Sequence, residues 1–213
     1  MSINLEILVI KSIEDDEKIS NLNEKDIVSD MMLRRRLTRN ARIALYLTDL
    51  LDAWDMPVVI GSAFGEVVET FEIIRSIDMS QTVSPTHFQN SVHNTPASYL
   101  SIVGNNTGYI TTVSDIENTA DCVLSVGAVK SMEYDKLLLI VVDAMGFDCF
   151  DDLNKCGVTK KEFGVAMVVQ QTSKAPTITL EQQKFVGYSP SVWPMLEIMK
   201  KLSDIENIIQ IKI

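Results

Sequence analysis

The chain has 213 residues, 46% of them apolar, and a formal net charge of −10 at pH 7. That is enough chain for one sizeable domain with a true core, and its charge argues against nucleic acid as a partner, because phosphate binding rests on clustered positive charge. The longest fully apolar run, Leu137 to Val142, is far too short to span a bilayer. The odd set Cys122, Cys149 and Cys156, with no basic region ahead of the first apolar run, predicts a reduced, cytoplasmic protein. Cys149 and Cys156 are poorly spaced for a metal, and His87 and His93 supply no second pair, so neither metal nor cofactor is expected.

Taken in order, Asn4 to Ile10 is β-branched and partly alternating, which reads as a strand. Ser12 to Asp30 is acidic and polar, a surface excursion with a little helix. From Asp30 to Trp54 the pattern is helical: Leu33, Leu37, Ala41, Ala44, Leu47 and Leu51 share a face, and Asp30 is placed to cap it. Arg34, Arg35, Arg36, Arg39 and Arg42 crowd into this segment. Two readings stand for them: a solvated face balancing nearby acids, or a docking patch.

Met56 to Gly61 reads as a short buried strand, and Gly61-Ser62-Ala63-Phe64-Gly65 turns from it into a helix running through Arg75. The Gly-x-x-x-Gly spacing invites a phosphate loop but lacks the following Lys-Ser/Thr and the third glycine of a dinucleotide site. A tight strand-to-helix turn is the simpler reading. Ser76 to Val83 is a linker. Asn94 to Val103 forms a helix with Asn94 at its N-cap and Pro96 in its first turn, stopped by Gly104-Asn105-Asn106. The β-rich run Tyr109 to Val113 breaks at Ser114, where Ser114 and Glu117 make an S-x-x-E capping box for a helix to about Ser131.

Leu137 to Val142 predicts a strand buried on both faces. Gly146 to Val158 is loop-like, Phe163 to Gln170 is a second buried strand, and Gln171 to Thr179 is polar and turn-rich. Pro190 to Leu202 reads as a helix with Val192, Met195, Leu196, Met199 and Leu202 facing inward, and Ile205 to Ile213 as a last strand. Met31, Met32, Met195 and Met199 read as core filler. No internal repeat is present. Strands alternating with helices predict a single α/β layered domain over residues 1–213.

The unit from Ser84 to Glu117 is therefore helix, strand, sharp turn, then a further helix, and in many α/β enzymes that turn carries a nucleophile. Its residues resemble a family. The order Ser84-Pro85, Asn94, Ala97, Ser101-Ile102 and Gly108, followed by a β-run and a helix, is similar to the N-terminal half of a β-ketoacyl synthase. The phrase Asn90-Ser91-Val92-His93-Asn94 is closer to short ketosynthase homologues, the truncated chain-length factors of aryl-polyene-type pathways. The resemblance covers roughly residues 31 to 170. It implies a layered thiolase-like fold, about one half of a full ketosynthase.

The resemblance also implies a cysteine at the strand-to-helix turn. Counting places it within Ser114, Asp115, Ile116 and Glu117, and none is cysteine. Cys122 lies about two turns further on, where it cannot occupy the turn, and reads as a small buried hydrophobe. The second half of the family's fold normally brings two histidines, and none follows His93. The expected role is a non-catalytic homologue that pairs with an intact β-ketoacyl synthase and shapes its acyl tunnel. By resemblance, Ile110, Thr111, Thr112 and Val113 lie at the partner interface, with Asn94 and Thr86, His87 and Phe88 close by. An acyl carrier protein would then be the partner for Arg34, Arg35, Arg36, Arg39 and Arg42. Phe88 as ordinary core is the competing reading.

Two alternatives remain at this level. One is a small acyl hydrolase or transferase using Ser114 or Ser98. For a triad, Ser114, His93 and Asp115 are the names to try, although Ser114 in a capping box and Asp115 at a helix N-terminus already have structural reasons to be there. His93 reads more simply as a packing histidine. The other alternative is a carrier-protein docking adaptor working through the arginines.

Overall fold

The computed structural model describes residues 2–16, 18–145, 162–179, 193–202 and 207–213, with backbone only at 117, 193 and 194. The expected loop at Gly146 to Val158, with Cys149 and Cys156, lies outside them, as do Pro190 to Val192 and the start of the expected last strand at 205–206.

The described strands are β1 (Ser2–Asp15), β2 (Val58–Gly61), β3 (Ile110–Val113), β4 (Leu137–Ala144), β5 (Glu162–Thr172) and β6 (Ile208–Lys212). They form one sheet in the order β3-β2-β4-β5-β1-β6. β2 runs parallel to β3 and to β4, whereas β4–β5, β5–β1 and β1–β6 are antiparallel. The helices are α1 (Glu24–Ile27), α2 (Met31–Arg36), α3 (Arg39–Leu50), α4 (Val67–Asp78), α5 (Pro85–Asn90), α6 (Thr95–Gly104), α7 (Thr119–Lys130) and α8 (Trp193–Lys200), with a 3-10 turn at Ile116–Asn118.

Side chains alternate across a strand, and both faces of this sheet are covered. Leu138, Ile140, Val142, Ala166 and Val168 point toward α3 and α6, while Leu137, Leu139, Val141, Met167 and Val169 point toward α7 and α8. All eight residues of β4 are buried, as its unbroken apolar run predicts. The α3 layer sits so close to β5 that a Cβ on Gly164 would stand 2.6 Å from Ile43 Cγ2 and 2.8 Å from Leu47 Cδ1.

The single helix expected from Asp30 to Trp54 is two. Leu37 and Thr38 are extended between α2 and α3. The Asp30 carboxylate accepts the N–H groups of Met32 and Leu33, and Thr38 Oγ1 accepts that of Ala41. A second capping residue inside the periodic run competes with helix continuation. The apolar face survives the break, since Leu37, Ala41, Ala44, Leu47 and Leu51 are all buried. Met31 and Met32, expected in the core, are exposed on α2, and Leu202 is exposed as well.

The segment expected as a linker, Ser76 to Val83, is helical only in its first three residues. α4 runs on to Asp78, and α5 starts with Pro85 at its first position, where the missing N–H costs nothing. No residue of α4 is buried. No helix among the described residues is long and apolar enough to cross a membrane.

Candidate functional site

The site is built where the parallel strands β2, β3 and β4 end. β3 is the last strand at one edge of the sheet. The Val58 N–H donates to the Tyr109 carbonyl and the Ser62 N–H to the Val113 carbonyl. Residues 109, 111 and 113 therefore face β2, and the N–H and C=O groups of Ile110 and Thr112 face away from it, along the open edge. All four β3 residues are half-buried, and the Thr112 hydroxyl is buried without a partner among the described residues. An open groove of about 630 Å³ follows this edge, lined by Asn94, Ala97, Ser98 and Ile102 of the α6 region and by Thr111 and Thr112. Ile102 is 60% exposed. An edge with unpaired backbone groups beside exposed apolar side chains is a template for another strand.

The turn after β3 differs from the capping box expected there. Ser114 is exposed and caps nothing. The 3-10 turn intervenes, and α7 begins at Thr119. Thr119 organises the turn instead: its Oγ1 accepts the Asp115 N–H at 3.1 Å and donates to the Ile116 carbonyl at 3.0 Å. Ile116 sits at φ 40°, a left-handed conformation that a β-branched residue adopts at a cost. Asn94 does precede α6, with no side-chain cap bond.

No nucleophile is assembled here among the described residues. No hydrogen bond joins Ser114, His93 and Asp115, and the Ser98 hydroxyl is spent on its own helix, donating to the Asn94 carbonyl at 3.0 Å. The half-buried Cys122 thiol points at Asp115 Oδ2, 3.6 Å away. Burial, and then the Asp115 charge, push that thiol's pKa up, which holds it in its less nucleophilic form. His87 Nδ1 is 2.6 Å from Glu69 Oε2 and ties α5 to α4. Thr86 and Phe88 beside it are exposed, and at 70% exposure Phe88 is not core.

The Gly61–Gly65 loop closes on an internal carboxyl group. Asp143, fully buried on β4, accepts the N–H groups of Ala63 and Phe64, each at 3.0 Å, and the Ser62 hydroxyl at 2.5 Å. Backbone donors that a phosphate loop would aim at a ligand are thus occupied by the protein's own carboxylate. Ser62 Oγ accepts the Gly65 N–H, and Asn40 Nδ2 donates to the Gly65 carbonyl, both at 2.7 Å. Gly65 itself has φ +56°, and a Cβ there would strike the His93 ring at 2.7 Å. His93 packs against this loop. Asp143 and Glu66 were not singled out in the sequence. An aspartate closing an otherwise apolar strand was the available signal for the first.

The arginines divide. Arg39 Nε donates to Glu162 Oε1 at 2.7 Å, Arg42 pairs with Glu24, and Arg34 reaches the Val28 and Ser29 carbonyls. These three fasten α1, α2, α3 and β5 to one another. Arg35 and Arg36 point outward from the end of α2, where the Arg36 carbonyl is held by Tyr99 Oη at 3.0 Å and Asn90 Nδ2 at 2.8 Å.

Comparison with known proteins adds the following. A family model described as "Beta-ketoacyl synthase, N-terminal domain" matches residues 15–202. No curated protein matches. Among solved structures, the ketosynthase ApeO in complex with its chain length factor ApeC, from Xenorhabdus doucetiae, is similar at TM-score 0.64 and 17% identity, over 82% of this chain and 84% of that one. The ishigamide ketosynthase/chain length factor is similar at TM-score 0.63 and 13% identity, over 81% of this chain and 63% of that one. A type II polyketide synthase acyl-carrier protein in complex with its ketosynthase bound to the hexaketide, AntDE:AntF, is similar at TM-score 0.62 and 8% identity, over 80% and 63%. At these identities the structures show the fold, which is the thiolase-like fold of ketosynthases.

Proposed function

Because the chain belongs to the β-ketoacyl synthase N-terminal-domain family, we propose that it is a non-catalytic member that pairs with an intact β-ketoacyl synthase through the β3 edge. The observation that carries this reading is the pairing of an open edge with an empty turn. Ile110 and Thr112 present unpaired backbone groups at the edge, and the turn that follows, Ser114, Asp115, Ile116 and Glu117, holds no cysteine.

In this reading the partner supplies the cysteine and histidines for decarboxylative Claisen condensation on malonyl-carrier substrates. This chain stabilises the partner, and Thr86, His87, Phe88 and Asn94 lie against the tunnel in which the acyl chain grows. A chain-length role in an aryl-polyene-type pathway fits the resemblance of Asn90 to Asn94 and the structural likeness to complexes that contain a chain length factor. An acyl carrier protein reaches the complex, and Arg35 and Arg36 are the two arginines of the cluster left facing outward for its acidic surface. Arg34, Arg39 and Arg42 serve the fold instead. The groove beside β3, of mixed polar and apolar lining, and the exposed Ile102 form the border of the interface.

The test is co-expression with the candidate ketosynthase, capture by a tag on this chain and native mass spectrometry. A 1:1 complex whose condensation activity depends on the partner's cysteine is expected. A stable lone chain that ignores the ketosynthase would refute the reading. Ester or thioester hydrolysis by the lone chain, abolished by Ser114→Ala or Ser98→Ala, would point to the hydrolase instead.

A further inference from the structure

We propose that the buried Glu66 carboxyl is a proton-operated latch, closing the 61–66 loop onto α3 while it is neutral and loosening the loop when it ionises. This inference is independent of the pairing proposed above. Glu66 is 5% exposed, and Thr38 Oγ1 donates to its Oε1 at 2.8 Å. Its surroundings offer hydrogen-bond donors but, among the described residues, no cation to balance a negative charge. From β4 it faces Asp143, and from its own helix Glu69, which is turned to His87 of α5. From α3 it meets the uncharged Thr38 and Asn40, and Tyr99 of α6 shares its field. The His93 ring lies against the adjoining Gly65. Among the described residues no lysine or arginine acts on it.

Two carboxyls cannot both carry charge in one dry cluster at low cost. At least three donors converge on Asp143, which suits its charged form, so the proton belongs on Glu66. The Thr38 and Asn40 donors pull the other way, favouring charge on Glu66, and burial outweighs them. Asn40 Oδ1 is buried with no donor among the described residues, its Nδ2 being engaged by the Gly65 carbonyl; in this proposal the protonated Glu66 O–H is the donor that satisfies it. Burial raises the Glu66 pKa to about 8. Ionisation would withdraw the donor from Asn40 and set a second charge against Asp143. Because the Ser62 N–H bonds the Val113 carbonyl at 3.4 Å, the loosening reaches the end of β3.

The sign of the linkage fixes the test. An unfolded glutamate loses its proton near pH 4.5 and the folded Glu66 near pH 8. The contribution is whole below the first value, declines between the two by up to about tenfold in the folding constant per pH unit, and is gone above the second. Denaturant unfolding of the full chain across that window should show this slope in the wild type and lose it in Glu66→Gln, which keeps the shape and stays neutral. Amide exchange at Ala63, Phe64 and Gly65, corrected for its intrinsic pH dependence, should accelerate about tenfold or more through pH 8 in the wild type only. Parallel stability profiles for the two proteins, or exchange that does not change, would overturn the latch. Should Glu66→Gln fail to fold, the wild type decides alone: a protonated-carboxyl infrared band at about pH 6.5 that vanishes above about pH 8 supports the proposal, and its absence rejects it.

Discussion

The two ends of the β2–β4 region make opposite uses of the same chain. On one side of β2, the strands β4 and β5 are wrapped on both faces along most of their length, and every residue of β4 is buried. On the other side, β3 is half-buried along its whole length, and the α4–α5 hairpin beyond the loop buries only Asn90 and leaves Ile74, Ile77, Met79 and Phe88 exposed. The first region is finished by its own sequence. The second has the secondary structure of a protein interior with less cover, and it is the side to which the proposed pairing is assigned.

Breaking the finished side should have the largest effect. Leu139 is fully buried, and its side chain fills the space over Gly127 so closely that a Cβ there would meet it at 2.7 Å. Leu139→Ala should cost about 2–5 kcal/mol of folding stability, read by denaturant unfolding, because the cavity cannot collapse between two rigid elements. A cost below about 1 kcal/mol would mean that the centre is more plastic than its packing implies.

The open side should respond in pairing, not folding. Thr112 sends its N–H away from β2, so Thr112→Pro removes one outward donor and leaves the β2–β3 ladder whole. The lone chain should lose less than about 1 kcal/mol. Affinity for the ketosynthase should fall at least about tenfold by native mass spectrometry or calorimetry. Equal affinity for the two proteins would move the interface off β3. At the adjoining turn, Ile116→Gly relieves a left-handed isoleucine whose side chain is 65% exposed. It should stabilise the lone chain by up to about 1 kcal/mol. Destabilisation would show that the isoleucine side chain holds the turn.

The same division governs what could be read from sequence. Runs such as Leu137 to Val142 declare themselves because one local pattern, continuous apolar residues, has one packed outcome. The alternation of strands and helices was equally legible, from periodicity. The Asp30–Trp54 run misled because Thr38 offers a cap in mid-pattern, and apolar periodicity does not register a break that keeps the face aligned. The Ser114–Glu117 box misled because its spacing is satisfied by chance, while Thr119, two residues beyond, makes the bonds. Glu66 and Asp143 were invisible for a third reason. They are 77 residues apart in sequence (143 − 66), and only the fold brings them to the same loop.

The smallest effect is the sharpest discriminator. Phe88 is 70% exposed on α5, so Phe88→Ser should leave the stability of the lone chain within about 0.5 kcal/mol. A large apolar side chain with no job in its own fold is informative only through what covers it. If Phe88 lies against the partner's acyl tunnel, the serine variant should still form the complex and shift the products toward longer chains, because the wall that the growing chain meets has retreated. Mass spectrometry of the products from the wild-type and Phe88→Ser complexes reads this directly. Unchanged products with unchanged assembly would take Phe88 out of the tunnel, while weakened assembly with unchanged products would make it an anchor of the interface.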